Sequence, residues 1–244
     1  MLTIRHDDQI HRESGGWFDA RWHFSFDRYR DPDQMGVGPL RVFNDDRIVA
    51  GAAWPMHPHR DIESLTYVVE GHFEHADSLG NGGQLEPGAA QVMSFSHAGA
   101  EHSERNASPS EPLRFIQFWI LPATVNQEST VAQRQYTVAD RTDHWLQIMS
   151  PPGEEGLDLR QDARVAVARL TADAELVASF PADRDGYLYL LDGAASLDGQ
   201  PVATGDAVHI HGVHDLAVQA SDDAELILVD VPASYHPIGV WAGR

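Results

Sequence analysis

The sequence predicts an all-β protein made of two β-barrels in tandem. Short strand-like runs bounded by Gly, Pro, Asn and Asp recur along the 244 residues, whereas helix-period patterns are scarce. The two halves also echo each other, because residues 66–71 and 188–193 are both apolar runs that end in an acid and a glycine. These glycines, Gly71 and Gly193, are 122 residues apart, which is half of the chain and the spacing expected of a duplicated barrel.

The predicted strands alternate with turn residues along both halves. The clearest runs span 65–70, 72–75, 89–95, 115–121, 165–170, 187–191, 207–211 and 225–229. A joint between the halves is expected within 122–135, where Pro, Asn, Gln, Ser and Thr break the apolar alternation, with a short helical segment around 130–139. We therefore predict a first, metal-binding barrel over 1–125 and a second, degenerate barrel without metal over 136–244.

Composition limits the partners that this chain can have. It carries 37 acidic and 17 basic residues, for a net charge of −20, and its scattered arginines form no basic patch for direct binding to a nucleic acid. Cysteine is absent, so any metal must be held by nitrogen and oxygen. Neither a long apolar segment nor an apolar leader is visible, so we expect no membrane contact and a cytoplasmic location.

A His-x-His pair is the main candidate for chemistry. His57 and His59 project to the same face of an extended strand, and Glu63 would join them if that strand continued unbroken. His102 and Glu104 repeat the two-residue spacing after a second strand-like run. Three imidazoles and one carboxylate suit a first-row divalent metal and leave positions open for water, O2 or substrate. Spacing alone leaves both Glu63 and Glu104 open as the carboxylate ligand.

These residues also carry a resemblance to a known superfamily. The pattern Gly51-x5-His57-x-His59-x3-Glu63-x7-Gly71 is similar to the first cupin motif, and His102-x3-Asn106 meets part of the second. More narrowly, the His57-Pro-His59-Arg run, the stretch 73–83 and the His102-Ser-Glu104 run look like the pirin family of two-barrel cupins. The resemblance implies two cupin barrels of the jelly-roll type in tandem.

The pirin resemblance implies a set of metal ligands. They are His57, His59, His102 and Glu104, which leaves Glu63 in a supporting position from which it could orient an imidazole. In that family the second barrel usually lacks metal. The internal repeat agrees, because a shift of 122 residues places Ser179, Pro181 and Asp185 where the first half has His57, His59 and Glu63. A cluster of His209, His211 and His214 lacks the other half of a site, so we expect no second metal.

The resemblance implies two functions. The first, which we favour, is a quercetin 2,3-dioxygenase that opens a flavonol ring with O2 and releases carbon monoxide, with Fe(II) as the preferred metal, Mn, Co, Ni, Cu or Zn as alternatives, and Glu104 as the base for the flavonol hydroxyl. The second is a metal-dependent binding partner of a transcriptional regulator or a metabolic enzyme. A third class, a cupin sugar or nucleotide-sugar isomerase that works without metal, predicts no bound metal at all.

Aromatic and methionine side chains near the histidines are candidates for lining a substrate cavity. We expect about half of six such residues to line the barrel mouth, since alternate residues of a strand face outward: Met56, Met93, Phe95, Phe115, Phe118 and Trp119. Trp17, Trp22 and Phe24 are expected to close the first barrel as core residues.

Overall fold

A computed structural model describes residues 1–125 and 127–243, so Asn126 in the expected joint and the terminal Arg244 lie outside the described residues. The regular structure is almost entirely strand, which confirms the all-β prediction. In the first half and the joint the strands are β1 (Leu2–Arg5), β2 (His11–Ser14), β3 (Phe18–Trp22), β4 (Leu40–Ile48), β5 (Ala53–His59), β6 (Ile62–Glu70), β7 (Phe73–Asp77), β8 (Gly82–Leu85), β9 (Ala89–Phe95), β10 (Ala100–Asn106), β11 (Leu113–Ile120) and β12 (Thr130–Gln135).

The second half repeats this arrangement. Its strands are β13 (Leu146–Ser150), β14 (Leu157–Asp158), β15 (Arg164–Leu170), β16 (Glu175–Ser179), β17 (Arg184–Asp192), β18 (Ala194–Leu197), β19 (Gln200–Ala203), β20 (Ala207–His211), β21 (Asp215–Ala220) and β22 (Ala224–Pro232). Three short 3₁₀ turns complete the regular secondary structure of the described residues: Asp7–Gln9, Ala139–Arg141 and Gly239–Trp241. None of the helical turns in the described ranges has the length and apolar character that crossing a bilayer requires.

Each half contains one seven-stranded and one four-stranded sheet. The four-stranded sheets run β5-β10-β7-β8 and β16-β21-β18-β19, an identical order once the second half is numbered from its own first strand. The seven-stranded sheets run β12-β9-β6-β11-β4-β3-β2 and β1-β20-β17-β22-β15-β13-β14. The prediction of two jelly-roll barrels in tandem is therefore confirmed.

The two halves exchange edge strands. β1, at the start of the chain, pairs antiparallel with β20 of the second half, and β12, in the joint, pairs antiparallel with β9 of the first. The helical segment expected around 130–139 is wrong, because the pairing with β9 makes Thr130–Gln135 a strand and a 3₁₀ turn follows it. The domain bounds at 125 and 136 stay a prediction. β1 lies before residue 125 but pairs with a strand of the second half, and β12 lies between the two bounds but pairs with a strand of the first half.

The paired glycines of the sequence repeat have the same structural reason in both halves. Gly71 and Gly193 have φ values of +82° and +87°, a region that residues with a Cβ rarely adopt. A Cβ at Gly71 would lie 2.4 Å from the carbonyl oxygen of Pro112, and one at Gly193 would lie 1.9 Å from that of Asp223. Each glycine therefore lets the hairpin that follows it pass close to the neighbouring strand connection.

The largest core lies between the halves. The inner faces of the two seven-stranded sheets meet there. Fully buried side chains come from the first half (Phe43, Leu65 and Phe118) and from the second (Tyr189 and Val229). Burying apolar side chains of this size from both halves stabilises their association by roughly 2 kcal/mol each. The halves are therefore held as one unit.

A buried polar network crosses the same interface. Asp45 on β4 accepts two hydrogen bonds from Arg114 on β11, both of 2.8 Å, and one of 2.7 Å from the Tyr189 hydroxyl of the second half. These donors hold the pKa of Asp45 below its usual value even though burial works in the opposite direction. Because the carboxylate has its partners, the charge is accommodated inside the core.

Candidate metal centre

Two neighbouring strands of the first four-stranded sheet bring the predicted imidazoles together. On β5 and β10, His57 and His102 are directly opposite each other, and a register shift follows between His102 and Glu104. β5 is the edge strand of its sheet, where Pro55 and Pro58 can be accommodated. Asp61, with a φ of +51°, ends the strand after His59 and turns the chain into β6.

The three imidazoles form a compact group. The candidate ligand atoms of His57, His59 and His102 all lie within 4.8 Å of one another, and within the described residues no other set of three histidines or carboxylates is as close. The ring centroids of His57 and His102 are 4.6 Å apart, and those of His59 and His102 are 4.9 Å apart. A group of this size can share one divalent ion.

The hydrogen bonding of His57 leaves one nitrogen free for a metal. Its Nδ1 lies 2.8 Å from the carbonyl oxygen of Pro55. A carbonyl oxygen only accepts, so Nδ1 carries the proton and donates it, which leaves the lone pair on Nε2. Metal-binding histidines are commonly oriented in this way by a backbone carbonyl.

His102 is the imidazole with the strongest need of a partner. It is 2% exposed, and neither of its ring nitrogens has a hydrogen-bond partner among the described residues. Burial, followed by the charges of His59, His57 and His75, lowers the pKa of His102 to about 2, and burial followed by His57 lowers that of His59 to about 3. Both rings are therefore neutral at neutral pH, which is the form that binds a metal.

Glu104 lies beside the group. Its Oε1 is 3.4 Å from His102 Nε2, and its Oε2 is 4.0 Å from His57 Nε2. Gln117 on β11 donates a 2.6 Å hydrogen bond from Nε2 to Oε1. Burial raises the pKa of Glu104, while the charge of His57 and the bond from Gln117 act against that rise. The donor set of nitrogen and carboxylate oxygen fits a divalent first-row metal.

Glu63 does not support an imidazole, so that expectation is wrong. Its Oε1 accepts hydrogen bonds from the backbone N–H of Arg160 at 2.9 Å and the Ser94 hydroxyl at 3.1 Å, and its Oε2 accepts one from the Gln161 N–H at 3.0 Å. The turn at Asp61 explains the difference, because it separates the strand of the histidines from β6. Glu63 instead joins the first half to the second.

A second buried histidine lies behind the group. His75 and Asp77 on β7 are the cross-strand partners of Glu104 and His102, and they share the inner face of the sheet. His75 Nε2 is 3.3 Å from Asp77 Oδ2, and the His75 and His102 rings are 5.8 Å apart. His75 and Asp77 therefore complete a polar interior behind the three imidazoles.

A cavity of about 930 Å³ lies beside the three-imidazole group. His57, His59, Glu104 and Gln117 are in its wall, and Asn44 and Asp46 of β4 continue the polar part. Aromatic and apolar side chains make up much of the rest: Phe18, Trp22, Phe26, Trp54, Trp119, Leu121, Tyr235, Pro237 and Trp241. The cavity thus combines one polar wall with walls of aromatic rings, a common composition of small-molecule sites.

Only one of the six predicted lining residues faces this cavity. Trp119 lines it, while Met56 is exposed and Phe118 belongs to the core between the halves. Met93 and Phe95 pack in a cluster beneath the histidines, and Phe115 packs in a separate one. The expectation failed because strand parity turns these side chains away from the opening.

The expected core role of the N-terminal aromatics is met in part. Trp22 is buried but lines the cavity, and Phe24 packs on Tyr187 of the second half with ring centroids 5.0 Å apart. Trp17 is half-buried against Trp54, at 4.8 Å.

Part of the cavity wall comes from the end of the chain. Trp241 donates from its indole N–H to the carbonyl oxygen of Asp61 at 2.9 Å, and Asp61 Oδ2 accepts the N–H of Val240 at 3.0 Å. Tyr235 donates its hydroxyl to the Pro122 carbonyl at 3.0 Å. The segment after the last strand of the second half therefore returns to close the site of the first.

Known proteins resemble the chain along its whole length. The family model described as Pirin matches residues 4–120, and the model described as Quercetinase C-terminal cupin domain matches residues 125–231. Over 234 residues the chain is 36% identical to the quercetin 2,3-dioxygenase of Escherichia coli K12, which covers 95% of this chain and 99% of that one. The chain belongs to the pirin family. The resemblance carried by the sequence motifs is thus confirmed.

Other pirin-family proteins agree with this assignment. The chain is 36% identical over 232 residues to the pirin-like protein of Caulobacter vibrioides, covering 94% of this chain and 99% of that one. The crystal structure of the bacterial pirin YhhW from E. coli in complex with nickel(II) matches with a TM-score of 0.89 and 33% identity, covering 98% of this chain and 100% of that one. The three-histidine group of the present pirin-family chain is likewise compatible with a divalent metal.

The histidines of the second half have a carboxylate partner that the sequence did not indicate. His209 Nε2 is 3.1 Å from Asp185 Oδ2, and His211 Nδ1 is 2.7 Å from Asp185 Oδ1. His214 instead lies 3.0 Å from Asp215. The rings of His209 and His211 are 6.3 Å apart and turned to opposite oxygens of one carboxylate. The absence of a second metal stays a prediction.

Gln117 and Asp46 are the site residues that sequence reasoning missed. Gln117 is the single uncharged polar residue in the otherwise largely apolar run of β11, and Asp46 is an acid in a strand whose residues are mostly buried. Polar residues inside buried strands were the available signal. Burial, followed by the charges of Asp45 and Glu104, raises the pKa of Asp46 well above its ordinary value.

Proposed function

We propose that the protein is a metal-dependent dioxygenase of the quercetin 2,3-dioxygenase type, in which His57, His59, His102 and Glu104 hold the metal. The observation that carries the proposal is that two imidazoles of the compact three-histidine group, those of His57 and His59, form part of the wall of an aromatic-lined cavity. The name of the E. coli relative gives the substrate class. Its substrates would be a flavonol-like molecule and O2, and a cytoplasmic location stays a prediction.

The cavity suits a flat polyphenol. Its volume of about 930 Å³ is near the upper end of the range for small-molecule sites. Trp54, Trp119 and Trp241 offer ring faces or edges against which a flat molecule can pack while water is excluded. The carboxyl group of Asp46 and the amide of Asn44, both facing the cavity, can exchange hydrogen bonds with phenolic hydroxyl groups.

A bound divalent metal, for which Fe(II) is the preferred ion, would acidify the flavonol hydroxyl and provide a place for O2 beside it. Glu104 would accept the hydroxyl proton once it loosens from the metal, a role favoured by the rise that burial causes in its pKa. Gln117 holds Oε1 of Glu104 by its 2.6 Å hydrogen bond, so Oε2 is the oxygen left to take the proton. The aromatic walls keep the reacting ring in place and away from water.

The test is an aerobic assay with quercetin on protein loaded separately with Fe, Mn, Co, Ni or Cu. We expect loss of flavonol absorbance together with release of carbon monoxide, and a fall in turnover of about 100-fold or more in Glu104→Gln. Glu101→Gln is the matched control, because Glu101 is exposed on the opposite face of the same strand. Absence of turnover with every metal would rule out the proposal.

The second hypothesis, a metal-dependent binding partner of a transcriptional regulator or a metabolic enzyme, predicts a different result for the same protein. A metal-dependent binding partner would capture a specific protein that is released when the metal is removed, with no consumption of quercetin. The metal-free isomerase class is separated by elemental analysis, because it predicts that His57→Ala and His102→Ala have no metal to lose.

A further inference from the structure

Two arginines in the wall of the cavity have no carboxylate partner among the described residues. Arg30 and Arg41 both line the cavity, and neither forms an ion pair within the described residues, although the chain has 37 acidic residues. By contrast, Arg28, which lines the same region, is paired with Glu13. In a protein with a net charge of −20, unpaired guanidinium groups inside a ligand cavity call for an explanation.

The backbone aims Arg41 into the cavity. In the pairing of β4 with β11, Val42 lies opposite Trp119 and Leu40 opposite Ile120, so Arg41 is an extra residue at a β-bulge. Bulges redirect side chains and are frequent beside functional sites. One Nη1–H of Arg41 is donated to the Ser25 carbonyl at 2.7 Å, which fixes the side chain and leaves its other N–H groups for a ligand.

Arg30 is supplied by the ordered loop between β3 and β4. Ser25 N–H donates to the Gln34 carbonyl at 2.7 Å, and the Tyr29 ring stacks on His11 with centroids 4.1 Å apart. The neighbouring Asp31 is engaged with the Tyr29 hydroxyl and the Asp33 N–H. Arg30 itself uses Nη1 on the Tyr29 carbonyl at 2.9 Å and keeps its remaining donors.

The charges of the two guanidinium groups act on each other. Burial, followed by the charge of Arg30, lowers the pKa of Arg41. Among the described residues, neither Asp46 nor Glu104 of the cavity wall forms an ion pair with these arginines, and Glu104 lies with the imidazoles. Asp27 is the remaining acid of the wall, and its charge acts on Arg28.

We propose that Arg30 and Arg41 form an anion subsite, so that the substrate is an aromatic molecule carrying a carboxylate, sulfate or phosphate group. Two guanidinium groups bind such planar or tetrahedral anions through charge-assisted hydrogen bonds. The inference rests on the proposed function, because it defines part of the molecule that the same cavity takes. The aromatic part packs on the tryptophans, and the anionic group lies against the two arginines.

The experiment compares two probes of the same shape, naphthalene-2-sulfonate and the neutral 2-naphthyl methyl sulfone, on the metal-loaded protein. Quenching of tryptophan fluorescence reports binding, because Trp22, Trp54, Trp119 and Trp241 line the cavity. We expect the sulfonate to bind about tenfold more tightly, with an advantage that shrinks between low and high salt. Arg30→Gln and Arg41→Gln should each remove most of that advantage and leave sulfone binding unchanged.

Arg60→Gln is the matched control, because Arg60 is exposed, has no ion pair in the described part of the chain and does not line the cavity. Asp27→Asn should increase sulfonate affinity. Equal binding of the two probes by the unmodified protein, failure of both to bind, or equal loss of both in Arg30→Gln would overturn the subsite. Turnover of quercetin without sulfonate preference rejects the subsite alone, whereas sulfonate preference without turnover rejects the dioxygenase alone.

Discussion

The two four-stranded sheets have the same strand order but opposite interiors. On β10 the inward side chains include His102 and Glu104, whereas on the corresponding β21 they are Leu216, Val218 and Ala220. The neighbouring strands repeat the contrast, with His75 and Asp77 inside β7 and Ala195 and Leu197 inside β18. One framework therefore accepts either a polar interior with imidazoles and carboxylates or an apolar core.

The contrast has a consequence for packing. The interior of the second half is one continuous apolar cluster, while the interior of the first is divided into two smaller clusters on either side of the polar residues. Space that the second half fills with apolar side chains is given to imidazoles and a cavity in the first. The second half thus supplies stability, together with the segment from Tyr235 to Trp241 that closes the cavity.

The largest effect is expected when the first interior is made like the second. His102→Leu removes one of three imidazoles, so we expect metal affinity to fall by at least about 100-fold, more than the loss of a supporting partner costs. The metal-free protein should keep or gain stability, because both ring nitrogens of His102 lack hydrogen-bond partners in the part of the chain that the structure describes. Elemental analysis and thermal unfolding measure the two quantities. His72→Leu, at an exposed histidine, is the control, and unchanged metal content in His102→Leu would contradict the site.

The reverse change tests the second interior. Val218→Glu places a carboxylate in the apolar cluster of the second half, where no partner exists among the described residues, and should reduce the free energy of unfolding by at least about 3 kcal/mol. Val177→Glu is the control, since Val177 is 57% exposed on the edge strand of the same sheet and should change stability by less than about 0.5 kcal/mol. Denaturant unfolding followed by circular dichroism compares them. Equal stability of the two variants would mean that the interiors do not differ in this way.

Much of this contrast could be predicted from the sequence, because it depends on local patterns. Strand periodicity located the eight predicted strands, and residues 89–95 and 207–211 agree with β9 and β20 at both ends. The positions matching His57 and His59 are Ser179 and Pro181, which already indicated that only the first half has the imidazole pair.

What could not be predicted depends on contacts between distant parts of the chain. The exchange of β1 and β12 leaves no local signal, because an edge strand reads the same whichever sheet it joins. The return of Trp241 to Asp61 joins residues 180 apart in sequence. The helix expected at 130–139 failed for the same reason, since pairing with β9 decided its conformation.

The equivalent acids of the two halves, Glu63 and Asp185, provide a smaller test. Glu63→Gln should lower the free energy of unfolding by about 1–3 kcal/mol, because an amide cannot accept all the hydrogen bonds from Arg160, Gln161 and Ser94. Metal content should not change. Glu70→Gln, at the exposed end of the same strand, is the control. Loss of metal in Glu63→Gln would mean that Glu63, and not Glu104, is the carboxylate ligand.

The smallest effect concerns a buried histidine that joins the halves rather than forming the site. His23 Nδ1 lies 2.7 Å from the Tyr187 hydroxyl, and burial, followed by the charge of Arg5, lowers the pKa of His23 to about 3. The imidazole of His23 takes up a proton near pH 6.5 in the unfolded chain, but only near pH 3 in the folded chain. The contribution of neutral His23 to stability is therefore complete above pH 6.5 and is lost progressively as the pH falls. Between pH 7.5 and pH 5 we expect the unmodified protein to lose about 2 kcal/mol more than His23→Gln does, measured by denaturant unfolding of the metal-loaded protein. An equal loss in both proteins would mean that His23 does not account for the acid sensitivity.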